Sequence, residues 1–353
     1  MENLDKNNKN ELEYNNLSRN ELIKLESKKK TKKDKIIDAL FLKLPYISGI
    51  ICILEYTLIP DNSINPNPMT YIYFIICLLG LYSIYLLYGL FKKRANNPST
   101  FEKVRYNAPL YTGILLFLAF YDYLTLKTGV LTQPFVPCVN LILNAGIGDY
   151  KLLLDCAKNT LILLFLGYFI GVVLGLITGI LCGYSKRVHY WVSPIISILG
   201  PIPTATWVPI MMVIASSLYA GSVFIIALGS WFAVTVATIT GISNVDKDYF
   251  EAARTLGATS KQLISKIAIP GAVPSILQGC TQAMSSACVS ILIAEMLGVK
   301  SGLGWYMTWQ KSWASYDKMF AALIIICIVF IIVTKGLNKI KSYLLRWQVG
   351  EGK

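Results

Sequence analysis

Long, continuously apolar runs separated by short polar stretches set the pattern of the 353-residue chain. They cover residues 40–59, 70–91, 110–126, 158–182, 190–216, 219–241, 272–295 and 317–335. Each reaches the roughly 17 residues or more that a helix needs to cross a bilayer's hydrocarbon core. Barrel strands would alternate every second residue over about ten, whereas these runs do not alternate. The pattern therefore predicts an all-α polytopic membrane protein with eight spans. Composition agrees, since 54% of residues are hydrophobic and the mean hydropathy is +0.53, high for a soluble domain.

Polar stretches mark the organisation. Residues 1–39 form a polar, lysine-rich tail, unlike a cleaved signal peptide. An accessory region over 40–105 holds two spans joined by the turn-rich DNSINPNP, and residues 106–347 hold six spans richer in glycine and proline. Residues 348–353 are a short tail.

Lysine and arginine concentrate on the cytoplasmic side of membrane proteins. With the N-terminus inside, 27 of the 33 fall on that side, leaving Lys127, Lys151, Lys158, Lys300, Lys311 and Lys318 outside. The same arrangement puts the loop 243–270 in the cytoplasm. This bias and anionic lipid account for the net charge of +13 without nucleic acid. The cluster Lys28–Lys35, KKKTKKDK, reads as a solvated or lipid-facing segment.

Little here supports catalysis. The chain has one histidine, His189, and eight cysteines without a CxxC pair, which excludes most zinc frameworks. Cys138 and Cys156 share an external loop, where either a disulfide or two free thiols fits. No GxxxxGK[ST] phosphate loop is present, so the chain does not bind and hydrolyse ATP alone. Acidic residues within the spans are Glu55 and Glu295, both near span ends. A proton- or sodium-coupled carrier more often buries such a group at mid-depth.

The loop reads DYFEAARTLGATSKQL from Asp248 to Leu263. Asp248 is placed to cap a first short helix, with Glu251 adding negative charge to its first turn. Gly257 marks a turn, and a second helix over 260–267 is expected to end at Pro270. Ala252, Ala253, Gly257 and Ala258 leave a backbone that another protein can approach closely. On these grounds alone the segment is either a docking surface or an ordinary interhelical loop.

Glu251-Ala252-Ala253, Gly257 after three residues, and Ile267-Ala268-Ile269-Pro270 after nine more resemble the EAA signature of bacterial ABC importer membrane subunits. Ile269 stands where the signature has leucine. LGPIPTATWVPI (199–210) and AEMLGVKSGLG (294–304) are similar to segments of the nitrate/sulfonate/taurine subgroup. The likeness runs over roughly 130–347. It implies a six-span type I permease core plus two additional N-terminal helices, in a bacterial plasma membrane. It further implies a homodimer, a solute-binding protein outside, and separate ATPase subunits that hold ATP and magnesium, with no cofactor on this chain. Glu251, Ala252, Ala253, Gly257 and Ala258 would then couple the ATPase to the spans. The implied function is ATP-driven import of a small solute such as a sulfonate, taurine, nitrate or a vitamin precursor. The alternative is an ion-gradient-driven carrier.

Three features within the spans bear on transport. Gly167, Gly171, Gly175, Gly179 and Gly183 form a four-residue repeat, serving either a sliding or dimer contact or static packing within one subunit. Prolines 194, 201, 203 and 209 interrupt the fifth run, and the stretch Pro201–Trp207 is read as a break lining the pathway. Gln278, Gln282, Ser285, Ser286 and Ser290 lie near one helical face, either lining the path or bonding between helices. Thr204, Trp207, Gln278, Gln282 and Ser285 are the candidate pathway residues.

Overall fold

A computed structural model describes residues 32–94, 99–296 and 299–346, with side chains from residue 40 and none over 92–100. Residues 28–31 of the cluster Lys28–Lys35, the tail before them and the tail 348–353 lie outside what is described. Among the described residues seven helices are long and apolar enough to cross a membrane, with one further helix pair bent by 91°. They coincide with the eight runs read from the sequence. The chain divides into two compact units, Met1–Asn144 and Ala145–Lys353. Packing thus places the run over 110–126 with the two accessory spans, although the sequence pattern divides the chain near residue 105.

The first unit contains α1 (Lys32–Leu58), α2 (Met69–Arg94) and α3 (Ser99–Asp122), the last extended by a π-turn over Tyr123–Lys127. Its core gathers Cys52, Tyr56, Tyr71, Ile75, Leu115 and Leu126. Helix ends in apolar surroundings leave backbone groups that need partners. Lys127 supplies one solution: its buried Nζ donates to the carbonyls of Tyr56 and Ile59 at 2.7 Å each and to Asp61 at 2.6 Å. Asn140 supplies another, accepting from the Tyr71 N–H at 3.2 Å and donating to Asn65 and the Pro66 carbonyl. The carboxylate oxygens of Glu55 and Asp122 are buried without a hydrogen-bond partner among the described residues. Asp122 is fully buried, an acidic residue in a span that the sequence reading passed over.

In the second unit the long helices are α5 (Tyr150–Tyr184), α8 (Leu218–Ser243), α11 (Ile269–Met296) and α13 (Tyr316–Leu344). The short α4 (Val139–Gly148) runs through the division. The glycine repeat on α5 packs against α8. A methyl group on Gly171 would lie 2.4 Å from the Ala227 carbonyl oxygen, and one on Gly179 would lie 2.5 Å from Thr238 Cβ. The repeat from Gly167 to Gly179 is therefore packed within one subunit, against α8. Thr178 fastens the contact, hydrogen-bonding Thr235 at 2.9 Å and accepting from Trp231 Nε1 at 3.0 Å. The other side of α8 meets α11, where a methyl on Gly279 would lie 2.3 Å from Ala237 Cβ.

Register gives direction. Gly167 faces Ile226, Gly175 faces Val234 and Gly183 faces Ile242, so α5 and α8 run parallel. Tyr184 and Leu218 therefore sit about 25 residues apart in level, roughly 37 Å at 1.5 Å per residue. The chain between them has to return across that thickness. It does so as α6 (Lys186–Leu199), a 3₁₀ turn (Thr204–Trp207) and α7 (Val208–Ile214). The bent pair is thus a broken crossing, and it brings the candidate crossings among the described residues to eight. All eight cysteines are free thiols, Cys138 and Cys156 included.

Replacing Gly171 by leucine should cost about 3 kcal/mol or more, because backbone rather than a flexible side chain occupies the space. Gly336→Ala, where a methyl meets nothing within 4 Å, should stay within about 0.5 kcal/mol of wild type. Thermal unfolding in detergent separates the two. In the first unit, Lys127→Met should destabilise by about 3–5 kcal/mol, since it strands two carbonyls and a carboxylate. Faster proteolysis between α1 and α2 would report that loss, and an unchanged Tm would show the lysine to be idle.

Candidate functional site

The segment between α8 and α11 forms two short helices, α9 (Lys247–Thr255) and α10 (Ser260–Leu263). The cap of α9 is Asp246 rather than Asp248: Asp246 Oδ1 accepts the Asp248 N–H at 3.1 Å, and Asp248 supplies charge to the first turn. Both aspartates suit the position by type, and only the backbone decides between them. No residue of α9 is fully buried. Phe250 turns inward onto Ile242, Ala268, Ala272 and Ile276. Glu251 and Ala252 are exposed, while Ala253 and Ala258 are half-buried.

Gly257 ends α9 in the left-handed region, with φ +79°. A methyl there would meet nothing within 4 Å, so conformation rather than crowding calls for glycine, and the surface stays bare. Beside it Leu256 is 88% exposed, an apolar side chain with no cover of its own. Gln262 closes the turn by accepting the Thr259 N–H at 2.8 Å.

The expected stop at Pro270 does not occur. A π-turn over Ile264–Ala268 joins α10 to α11, and Ser260–Met296 forms one continuous helix of 37 residues. The Ile269 N–H reaches back five residues to Ile264. That widened turn, together with the place of Pro270 as second residue of α11, accommodates the missing donor and the ring.

At the proline break, Thr204 Oγ1 lies 2.7 Å from Ser290 Oγ of α11. Gly229 of α8 allows the approach: a methyl on it would lie 3.1 Å from Thr204 Cγ2 and 3.2 Å from Ser286 Oγ. Trp207 is half-buried on the same turn. Gln278, Gln282 and Ser285 form a separate exposed strip along α11. There Gln278 accepts from Lys341 of α13, and Ser285 donates to the Thr281 carbonyl at 3.4 Å. The five candidate pathway residues thus fall into two groups, a bonded break and an open strip.

Sequence reasoning gave no role to the turn after α11. Glu295, fully buried, accepts the Gly304 N–H at 2.8 Å through Oε2, and Thr160 of α5 accepts the Leu303 N–H at 2.9 Å. Gly302 and Gly304 let that carboxylate approach, since a methyl on Gly302 would lie 2.5 Å from it. Nearby, Tyr306 of α12 (Leu303–Ser312) donates to Asp149 at 2.7 Å, and Lys318 pairs with the same carboxylate at 2.8 Å. Burial alone would raise the Asp149 pKa, but the hydrogen bonds from Lys318 and Tyr306 hold it below its ordinary value.

Residues 171–342 match the family described as binding-protein-dependent transport system inner membrane component. An ABC transporter permease protein of Methanocaldococcus jannaschii is 30% identical over 60% of this chain and 82% of its own length. An aliphatic sulfonates transport permease of Bacillus subtilis is 32% identical over 52% of this chain, and a taurine transport system permease of Escherichia coli is 26% identical over 47%. The chain spans 66% of the length of the former and 60% of the latter. With its apolar helices, its matched second unit and these relatives, the chain belongs to the ABC transporter permeases, membrane components of binding-protein-dependent transport systems.

Proposed function

We propose that this chain is the membrane subunit of an ATP-driven importer of a small solute. Its N-terminus is cytoplasmic, and two copies enclose one pathway. A solute-binding protein delivers the substrate outside, and separate ATPase subunits bind ATP and magnesium beneath. Glu251, Ala252, Ala253, Gly257 and Ala258 form the surface that docks on the ATPase. The observation carrying this reading is the exposed α9–Gly257–α10 segment: its outer face is bare, Leu256 stands clear of it, and Phe250 roots it in the second unit. Relatives named for sulfonate, taurine and nitrate support a small anion as cargo, and one named for formylaminopyrimidine keeps vitamin precursors in view.

Closure of the ATPases would press on α9 and α10. The π-turn carries α10 into α11 without a loop, so the displacement enters a span directly. Thr204 and Trp207 at the break and Gln278, Gln282 and Ser285 on the open strip are the groups assigned to the pathway. They offer neutral hydrogen bonds, with which a solute is held weakly enough to leave again.

Pull-down of the full chain from its native membrane should recover an ATPase subunit. Leu256→Glu and Gly257→Asp should each reduce that recovery roughly tenfold or more, a burial penalty of the size expected for a charge in a docked surface. Leu256 is exposed enough for the first variant to fold. Recovery of no ATPase with wild type under gentle conditions would sink the importer reading in favour of an ion-driven carrier. Gln282→Leu should leave ATPase recovery unchanged and lower solute uptake by roughly fivefold to tenfold. Full uptake by that variant would remove Gln282 from the pathway.

A further inference from the structure

At the end of the second unit opposite the coupling segment lies a cavity of about 400 Å³, near the small end of the roughly 300–1,000 Å³ typical of small-molecule sites. Two kinds of wall face it. Asn159, Ser217 and Lys300 are polar, whereas Ile162, Leu163 and Leu218 are aliphatic. Lys300 enters no ion pair among the described residues. Asp155, one turn before Asn159 on α5, already accepts from Asn159 Nδ2 at 3.1 Å and from Ser301 Oγ at 3.4 Å.

The turn bearing Lys300 is held at several points. Glu295 and Thr160 take its Gly304 and Leu303 N–H groups, and Asn159 Nδ2 donates to Ser301 Oγ at 2.8 Å. A fully buried carboxylate committed to a backbone N–H fixes a loop more firmly than surface contacts do. The lysine therefore stands over the cavity on a braced turn.

We propose that this cavity binds the substrate as a small organic anion, its oxyanion head on Lys300 and its short aliphatic tail against Ile162, Leu163 and Leu218. The proposal rests on the importer reading and narrows its cargo. A bare inorganic oxyanion would leave the aliphatic wall without a partner, and a neutral solute would leave Lys300 unused. A short-chain alkanesulfonate answers both walls. Lys300 is then a residue determining specificity, and Glu295 a positioning residue that acts through the turn.

The test is ligand-observed saturation-transfer NMR on the full chain in nanodiscs, with butanesulfonate, nitrate and butanamide as probes. Butanesulfonate should bind, with the larger effect on its chain protons, and nitrate, which carries no proton and is added as a competitor, should displace it poorly. Lys300→Gln, an exposed position whose change leaves the fold intact, should weaken binding roughly tenfold or more. Ile162→Trp should weaken it by filling the cavity. Glu295→Gln should weaken it less, with partial retention because the amide oxygen still accepts from Gly304. Equal signals from butanesulfonate and butanamide, or binding unchanged in both Lys300→Gln and Ile162→Trp, would overturn the site. Binding is read on the isolated chain, so that failure leaves the ATPase pull-down standing. Conversely, a negative pull-down removes the importer reading without altering the binding result.

Discussion

The second unit depends on how closely α8 can be approached from two sides. In lipid there is little hydrophobic drive to bring helices together, so close van der Waals contact and a few hydrogen bonds have to serve. Glycines on α5 let its backbone meet the Ala227 and Trp231 carbonyls, while Gly279 of α11 and Gly241 of α8 do the same on the other side. Parallel on one flank and antiparallel on the other, α8 fixes the levels of both neighbours. The return crossing through α6 and α7, the Thr204–Ser290 contact and the turn after α11 all follow from those levels.

At three places where the chain stops being helical, side chains take up freed backbone groups. Lys127 closes the end of α1, Asn140 the start of α2, and Glu295 and Thr160 the start of α12. These are polar or charged groups, most of which a hydropathy plot counts as interruptions. In the structure they permit the interruptions. The carboxylate oxygens of Glu55 and Asp122, and Glu295 Oε1, are buried without a hydrogen-bond partner among the described residues.

Features that depend on local chemistry were legible in the sequence. Continuous apolar runs gave the crossings, prolines 201 and 203 gave the break, and Gly257 gave the turn. Local signals erred where two residues of equal aptitude lay close, as with Asp246 and Asp248. They erred also where a neighbouring turn changed the rule, as the π-turn did for Pro270. Partners distant in sequence were not legible at all: the repeat on α5 announced a contact but not α8, and Glu295 gave no hint of Gly304. Thr204 and Ser290 were both noted as polar, yet only folding shows that they bond to each other, apart from the strip of Gln278, Gln282 and Ser285.

The continuous helix from Ser260 to Met296 has a mechanical meaning. At 1.5 Å per residue it is a rod of about 55 Å, with the α9 segment at one end and Glu295 at the other. Its two ends cannot be displaced independently unless the rod bends, and the π-turn and Pro274 provide compliance only in the stretch from Ser260 to Pro274. Beyond Pro274 the helix is stiff and tied along its length to α8. A tilt imposed at the α10 end is therefore delivered to the turn that Glu295 braces, with α8 as its fulcrum. One element thus makes the two faces of the membrane neighbours in the mechanical sense, although they lie a bilayer apart.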